Sequence, residues 1–278
     1  MSLITLSCPS YGHGARIAEG VASALGLSTL SKEVLEETAK QYHLSQHELY
    51  TALHDGPRLL ERFTADKHQH VRRIKAILLK RLTEGNVVYH GLAGHYLVRN
   101  VPHVLKVRLL ADASLRIKEM MHREQIPEQE AVERAKREDH ERDKWNRYFC
   151  KTVPMDAAMY DLMLNVNELS DAACVEKICE MAASERFQST EKNRQDVADA
   201  ALSSAIAAEL GSRYESAIIR SRQGNVMIRL PGLTHSVRKT KADISDFLSN
   251  ISGINDIQFD IRSNHLHRTP MHRTSHLS

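Results

Sequence analysis

Apolar positions follow two patterns over residues 1–183 of the chain. Some recur three or four positions apart, which is the spacing of one helix face, and the clearest case runs from Val71 to Leu82. Others form compact runs with the length of a buried strand. Because the two patterns alternate, they predict a parallel sheet with helices on both of its faces. The predicted strands are residues 3–6, 87–89, 104–110 and 160–166, and the predicted helices include residues 17–26, 31–40, 45–54, 113–123 and 170–183.

A different pattern begins after residues 184–193, which are polar and carry no strong apolar period. We therefore predict a domain boundary there, with one domain over residues 1–188 and a second over residues 192–263. The second domain is expected to be a small α+β unit in the order αββαβ, with a break at Pro231-Gly232. Residues 264–278 contain four histidines and no apolar period, and are expected to be a disordered tail. The elements of the second domain are predicted at residues 196–210, 214–220, 226–230, 236–248 and 254–261.

The composition argues against several classes of protein. With 278 residues and 42% hydrophobic content, the chain can form a substantial core and a smaller second domain. It has no apolar run of the ~18 residues that a membrane span needs and no signal-peptide pattern, so we expect a cytoplasmic protein. Its four cysteines form no CxxC pair, which favours reduced thiols over a disulfide frame or a zinc site.

The net charge of +3 is unevenly distributed along the chain. Residues 211–278 carry ten Lys and Arg against five Asp and Glu. This surplus is modest for a protein that binds nucleic acid. A solvated basic face explains it most simply, and a site for a polyanion or an anionic membrane surface is the alternative.

The segment after the first predicted strand has the arrangement of a nucleotide phosphate site. A strand, a glycine-containing turn and a helix N-terminus bring backbone N–H groups and the positive end of the helix dipole to one point. The usual pattern continues with Lys and then Ser or Thr, whereas here Ala15 and Arg16 follow Gly14. Arg16 is therefore the candidate cation, unless the turn merely joins a strand to a packed helix. The candidate phosphate-binding residues are Tyr11, Gly12, His13, Gly14, Ala15 and Arg16.

A highly charged segment with a helical pattern follows at residues 127–151. Such a run is usually a solvated helix face. Within it, however, the sequence DHERDKWNRYF from Asp139 to Phe149, followed by Tyr160-Asp161-Leu162, resembles the lid region of the cytidylate kinase-like family. The resemblance extends in order over residues 3–183. It also includes Tyr11-Gly12, the predicted helices at residues 31–53 and the strand end at residues 87–91.

This resemblance implies the phosphate-loop nucleoside monophosphate kinase fold. It also implies an activity, the transfer of a phosphoryl group from ATP to a pyrimidine monophosphate such as CMP, with Mg²⁺ bridging the donor phosphates. In such a transfer the protein supplies positioning and charge stabilisation, which is why lid arginines matter. The implied roles are binding of the donor phosphates by Gly12, Gly14 and Arg16, closure over the transferred group by Arg142 and Arg147, and orientation of one of these by Asp139.

Several charged positions of the family pattern hold uncharged residues in this chain. Pro9 and Ser10 stand where the family has Arg-Glu, and Ser31 stands where it has an acidic residue. Leu92 replaces the Arg of a Gly-Arg pair. Losing one such electrostatic contact commonly costs ~2.7–4 kcal/mol of transition-state stabilisation. The alternative to an active kinase is therefore a nucleotide-binding sensor with impaired catalysis.

The C-terminal unit resembles a BON-type domain, a small module associated with binding phospholipid surfaces or other partners. The resemblance is carried by Gly224, by Leu230-Pro231-Gly232 and by residues 253–257. It implies a further alternative, in which this unit binds an anionic membrane surface or a protein partner while the larger domain serves as a scaffold.

Overall fold

A computed structural model describes residues 2–56, 62–101, 103–151, 156–234 and 236–263, and in it five parallel strands form the main sheet. These strands are β1 (Leu3–Ser7), β2 (Ser28–Leu30), β3 (Val87–His90), β4 (Leu105–Leu110) and β5 (Leu162–Asn165). The strand order is β2-β3-β1-β4-β5, so β1 lies at the centre of the sheet. Strand β2 was not predicted, because two of its three residues are exposed and give no apolar run.

Helices cover both faces of the main sheet. They are α1 (Tyr11–Leu25), α2 (Glu33–Tyr42), α3 (Gln46–His54), α4 (Arg62–Thr83), α5 (Gly94–Leu97), α6 (Ala113–Glu124), α7 (Glu128–Phe149) and α8 (Asp171–Ala182). On one face, α1 and α8 pack over Ile4 and Leu6 of β1. On the other, helices α2 to α5 and the C-terminal end of α7 pack over Leu3. The predicted fold class, a parallel sheet covered on both faces, is confirmed.

The helices α3 and α7 are fixed against each other. Helix α3 begins with a capping box, in which the Ser45 hydroxyl accepts the Glu48 N–H and the Glu48 carboxylate accepts the Ser45 N–H, both at 3.1 Å. Near the C-terminus of α7, the Trp145 ring is buried and its Nε1–H donates to the Ala52 carbonyl of α3 at 2.8 Å. The polar remainder of α7 is thereby held beside α3, on the side of the sheet where β1 and β3 end.

The C-terminal unit has the predicted element order αββαβ. It contains α9 (Glu191–Leu210), β6 (Ile218–Arg222), β7 (Asn225–Thr234), α10 (Val237–Leu248) and β8 (Asp256–Ser263). Strand β7 lies between β6, which is antiparallel to it, and β8, which is parallel to it. The predicted break at Pro231-Gly232 is wrong, because β7 continues through it with a register shift between Leu230 and Leu233. Pairing with β6 ends at Arg229, so the missing N–H of Pro231 leaves no hydrogen bond unmade on that side.

Helix α9 belongs to both parts of the molecule. Its Val197 lies in the core beside α4, whereas its Ile206 lies in the core of the small sheet. On α4, the Gln69 side chain donates to the Ala208 carbonyl at 2.7 Å, and Arg72 donates to the carbonyl of Glu215 at 2.6 Å. The boundary between residues 188 and 192 stays a prediction, and α9 packs against α4 across it. The predicted tail at residues 264–278 lies outside the described residues.

We expect residues 1–188 expressed alone to unfold at a lower temperature than the full chain. Removing α9 exposes the apolar face of α4, including the contact made by the fully buried Val197. A second fragment ending at residue 210 retains α9 and should recover part of the loss. Thermal unfolding followed by circular dichroism measures both fragments, and equal midpoints for the two would contradict a stabilising role of α9.

Within the described ranges, no helix combines the length and the apolar character that crossing a membrane requires.

Candidate active site

A cavity of about 420 Å³ opens at the carboxyl ends of β1 and β3. One wall comes from α2 and α3, and the opposite wall comes from α6 and α7. In open parallel sheets ligands bind at this edge, beside the central strand where the chain crosses from one side of the sheet to the other. The cavity is therefore the candidate active site.

Helix α1 begins directly at this edge of the sheet. The turn after β1 covers residues 8–10, and the helix starts at Tyr11. Gly12 and Gly14 therefore lie in the first helical turn instead of a long loop, and the Gly14 N–H donates to the Ser10 carbonyl at 3.1 Å. The expectation of a phosphate-binding loop over residues 11–16 is wrong about the backbone, because these residues are helical. The three residues 8–10 are enough to connect β1 to α1.

The Glu119 side chain of α6 occupies the N-terminus of α1. Its carboxylate accepts a hydrogen bond from the Ser10 hydroxyl and lies 3.6 Å from His13 Nε2. A Cβ added at Gly12 would lie 2.8 Å from Glu119 Oε1, so a larger residue there would displace the end of the Glu119 side chain. Helix N-termini attract anions, and here the Glu119 carboxylate occupies the position where an anion would bind. A donor phosphate can bind at this point only after Glu119 has moved or has been neutralised.

Gly14 lies in close contact with His90 and Cys8. A Cβ at this position would lie 2.5 Å from His90 Nε2 and 2.9 Å from the Cβ of Cys8. His90 ends β3, and burial lowers its pKa. The glycine thus allows α1 to pack closely on the ends of β1 and β3.

Arg16 is held by an acidic residue of α8. Its Nε donates to Asp171 Oδ2 at 2.6 Å, and His13 Nδ1 lies 2.6 Å from Asp171 Oδ1. Partial burial raises the pKa of Asp171, but the hydrogen bonds from His13 and Arg16 outweigh it and lower the pKa. Arg16 therefore joins α1 to α8 as the structure stands. Phosphate binding by Tyr11, Gly12, His13, Gly14, Ala15 and Arg16 stays a prediction.

Two arginines of α6 and α7 face the cavity and share one carboxylate. Asp139 Oδ1 lies 2.8 Å from Arg116 Nη1 and 3.8 Å from Arg142 Nη1. Arg116 is buried, and its Nη2 has no hydrogen-bond partner among the described residues. The structure thus brings Asp139 near Arg142, one of the two arginines that the resemblance implies it orients, although Asp139 lies closer to Arg116. Two guanidinium groups that share one carboxylate retain positive charge. Such an arrangement suits a phosphate ligand.

Two other guanidinium groups influence Arg142. Burial, followed by the positive charges of Arg108 and Arg116, lowers the pKa of Arg142, while Asp139 and Glu138 act in the opposite direction. Three guanidinium groups therefore influence one another at this end of the cavity. An anion placed among them would relieve their repulsion.

Arg147 does not line the cavity. It is five residues after Arg142, which rotates it by about 140° around the helix axis. Its side chain is 63% exposed, and its Nε donates to Asp143 at 2.9 Å. The predicted role of Arg147 in closing over a transferred group stays a prediction that this geometry does not favour.

The sequence-based prediction missed Arg108 and Arg116. One available signal was their placement on apolar patterns, since Arg116 precedes the buried Met120 by four residues and Arg108 lies inside the apolar run of β4. A charged residue at such a position is buried only when it is paired or has a function.

The wall of the cavity formed by α3 is partly aromatic. The rings of Tyr50 and His54 stack with centroids 5.1 Å apart and an interplanar angle of 17°. Leu53 lies between them in sequence and also lines the cavity, and His54 Nδ1 lies 2.7 Å from Asp55 Oδ1. A flat wall of this kind suits a planar ring, such as a nucleobase.

The residues at the start of α1 also fit a magnesium ion that bridges to phosphate. Mg²⁺ prefers hard oxygen ligands and is usually held by one or two carboxylates together with substrate phosphates. Glu119 offers a carboxylate and Ser10 a hydroxyl at this point. Across the described ranges there is no cluster of three or more His, Cys, Asp and Glu side chains that could hold a metal without substrate.

A doubly covered parallel sheet, a helix that starts directly after its central strand and an arginine-lined cavity at the strand ends define a protein of the phosphate-loop kinase fold. The sequence also identifies the family within this fold. A model of the Cytidylate kinase-like family matches residues 3–168, which is more than half of the chain, and the chain belongs to this family.

Solved structures with a similar fold include several kinases. An uncharacterized protein from Eubacterium ventriosum ATCC 27560 has a TM-score of 0.48 at 19% identity, covering 65% of this chain and 98% of that chain. Shikimate kinase from Bacteroides thetaiotaomicron has a TM-score of 0.43 at 14% identity, with coverages of 66% and 99%. Dephospho-CoA kinase from Campylobacter jejuni has a TM-score of 0.36 at 12% identity, with coverages of 64% and 96%. A search of curated proteins returned no significant match.

Proposed function

We propose that the protein transfers a phosphoryl group from ATP to a nucleoside monophosphate, with a pyrimidine monophosphate such as CMP as the acceptor. The observation that carries this proposal is the arrangement of Arg116 and Arg142 around the single carboxylate of Asp139, facing a cavity of about 420 Å³. Membership of the cytidylate kinase-like family supports a phosphotransferase.

In this reaction a phosphate oxygen of the acceptor attacks the γ-phosphorus of ATP, and the bond to the β-γ bridging oxygen breaks. The products are a nucleoside diphosphate and ADP. The transition state spreads negative charge over the oxygens of the transferred group, so catalysis consists of positioning and charge stabilisation. Arg116 and Arg142 would provide that stabilisation from α6 and α7. When bound, Mg²⁺ neutralises charge on the donor phosphates, and Glu119 and Ser10 are the residues that would hold it.

The acceptor base is proposed to lie against Tyr50 and His54, whose stacked rings form a flat wall. The family name supports a cytosine base. We also propose that the protein is located in the cytoplasm. We further propose that the C-terminal unit binds an anionic surface or a protein partner.

Two observations favour a second candidate, a nucleotide-binding protein with little turnover. Glu119 fills the N-terminus of α1, and Arg16 is paired with Asp171. Both features reduce the positive potential available to a donor phosphate. In this candidate, the arginine-lined cavity binds a monophosphate, and transfer is slow because ATP is poorly held.

The two candidates are separated by measuring turnover and binding with the full chain. We expect ADP and CDP to form from ATP, Mg²⁺ and CMP at rates well above those of a heat-inactivated control, with dCMP, UMP and AMP as competing acceptors. Calorimetric binding of CMP without any product would support the second candidate. Absence of both binding and product for every monophosphate would refute both.

A further inference from the structure

A second, smaller cavity of about 40 Å³ adjoins the candidate active site. The two cavities share several lining residues, among them Cys8, His54 and Arg142. The small cavity extends between the ends of β1 and β4, the short helix α5 and the C-terminal half of α7. It is therefore the inner end of the space that the proposed acceptor would enter.

The residue that distinguishes this cavity is Arg108 of β4, which lies beside Ser7 of β1 in the parallel register. Its side chain is 92% buried, from a relative exposure of 8%. Among the described residues, none forms a hydrogen bond with its Nε and none forms an ion pair with its guanidinium group. A guanidinium group in this condition is unusual, because removing an unpaired charge from water costs several kcal/mol.

The lining of the small cavity is positively charged. Its described residues include Arg108 and Arg142, and none of them is Asp or Glu. Its other polar side chains include His95, Asn146 and Tyr160. Burial, together with the positive charge of Arg108, lowers the pKa of His95 to about 4, so that its ring is neutral near pH 7. The charge of Arg108 thus has no counter-charge among the described residues that line the cavity.

The size and the donors of the cavity restrict the ligand. A space of about 40 Å³ accommodates a group of a few heavy atoms, because one water needs roughly 10–15 Å³ on this measure. The unpaired His95 Nδ1 and the Tyr160 hydroxyl add neutral polar groups around the two guanidinium groups. Guanidinium forks bind tetrahedral oxyanions through paired hydrogen bonds.

We propose that the small cavity is an oxyanion site in which Arg108 binds a phosphoryl group. The group belongs either to free inorganic phosphate or to a nucleoside monophosphate whose base occupies the larger cavity. The second source rests on the proposed function, whereas the site itself does not. Arg108 is then a substrate-binding residue that neither the sequence motifs nor the lid region indicates.

The first experiment compares thermal unfolding of the wild-type chain and Arg108→Met in phosphate and in chloride at matched ionic strength, which keeps screening constant. Phosphate should raise the melting temperature of the wild-type protein, because a ligand that binds only the folded state stabilises it. The rise should disappear in Arg108→Met. In chloride, Arg108→Met should be at least as stable as the wild type, since it removes a buried charge without a partner. Arg81→Met, on the exposed end of α4 beside Glu37 and Glu84, is the matched control and should keep the phosphate effect.

The second experiment identifies the source of the phosphoryl group by calorimetry with CMP, cytidine and inorganic phosphate. Arg108→Met should weaken CMP binding at least about tenfold, the loss typical of one charge-assisted hydrogen bond, and leave cytidine binding unchanged. Competition between phosphate and CMP supports the monophosphate as the source. Phosphate binding that depends on Arg108 without any effect on CMP supports the oxyanion site and assigns it to a free anion.

Two results would overturn the proposal. One is a wild-type melting temperature that phosphate does not raise relative to chloride. The other is phosphate and CMP binding by Arg108→Met equal to that of the wild type. If Arg108→Met fails to fold, Arg108→Lys, which keeps the charge and loses the guanidinium fork, must bind phosphate more weakly than the wild type. None of these measurements involves turnover, so a protein without kinase activity still tests the site.

Discussion

Replacing Arg142 with alanine should reduce kcat/KM for phosphoryl transfer to CMP by about 100- to 1,000-fold, the range found when one preorganised charge-stabilising donor is removed. Arg142 lines both cavities and shares Asp139 with Arg116. Its charge therefore lies where negative charge would develop during transfer. Arg142→Lys keeps the charge but loses the planar fork, and we expect an intermediate loss.

Arg147→Ala is the informative comparison for this prediction. The family resemblance implies a loss similar to that of Arg142→Ala. The structure instead has Arg147 paired with Asp143 outside the cavity, so we expect kcat/KM to change by less than about threefold, as for a surface ion pair. Steady-state kinetics on both variants distinguish the two expectations. An Arg142→Ala enzyme as active as the wild type would remove this residue from the proposed chemistry.

Replacing Glu119 with glutamine should tighten the binding of ATP in the absence of Mg²⁺ by roughly tenfold, which corresponds to about 1.4 kcal/mol. The reason is electrostatic. The Glu119 carboxylate lies over Gly12 at the N-terminus of α1, where it repels a phosphate that the helix dipole would otherwise attract. Glutamine can still accept the hydrogen bond of Ser10, so the local packing is retained.

The same substitution should lower the Mg²⁺ dependence of ATP binding, because a carboxylate ligand is lost. Glu138→Gln is the matched control, because Glu138 also lines the cavity, but from α7, whereas Glu119 accepts the hydrogen bond of Ser10 at the start of α1. Calorimetry with and without Mg²⁺ on the two variants gives the comparison. Unchanged affinity in Glu119→Gln under both conditions would exclude a donor phosphate at this helix.

Much of the main domain was predictable from local patterns. The run at residues 3–6 and the helical period from Val71 to Leu82 are buried in the structure as expected. The start of α3 followed from the N-capping preference of Ser45. These features depend on nearby residues in the chain, and for that reason sequence alone was sufficient to find them.

Other features depended on contacts that are distant in sequence. Gly12 and Gly14 were interpreted as parts of a loop, but they permit close approach of Glu119 and His90, which lie more than 70 residues away. The break at Pro231-Gly232 was expected because proline interrupts strands. The register shift in β7 absorbs it instead.

The sequence by itself determined the class of fold and the αββαβ order of the C-terminal unit, because periodicity acts over a few residues. The roles of Asp139, Arg142 and Arg147 were implied by the family resemblance. Only the tertiary structure decided that α9 joins two cores, that Glu119 covers the start of α1 and that Arg147 lies outside the cavity. It also revealed Arg108 as a buried cation whose Nε has no partner in the part of the chain that the structure describes. The physical reason is that burial and charge compensation are set by which elements meet in space, and a one-dimensional pattern does not contain that information.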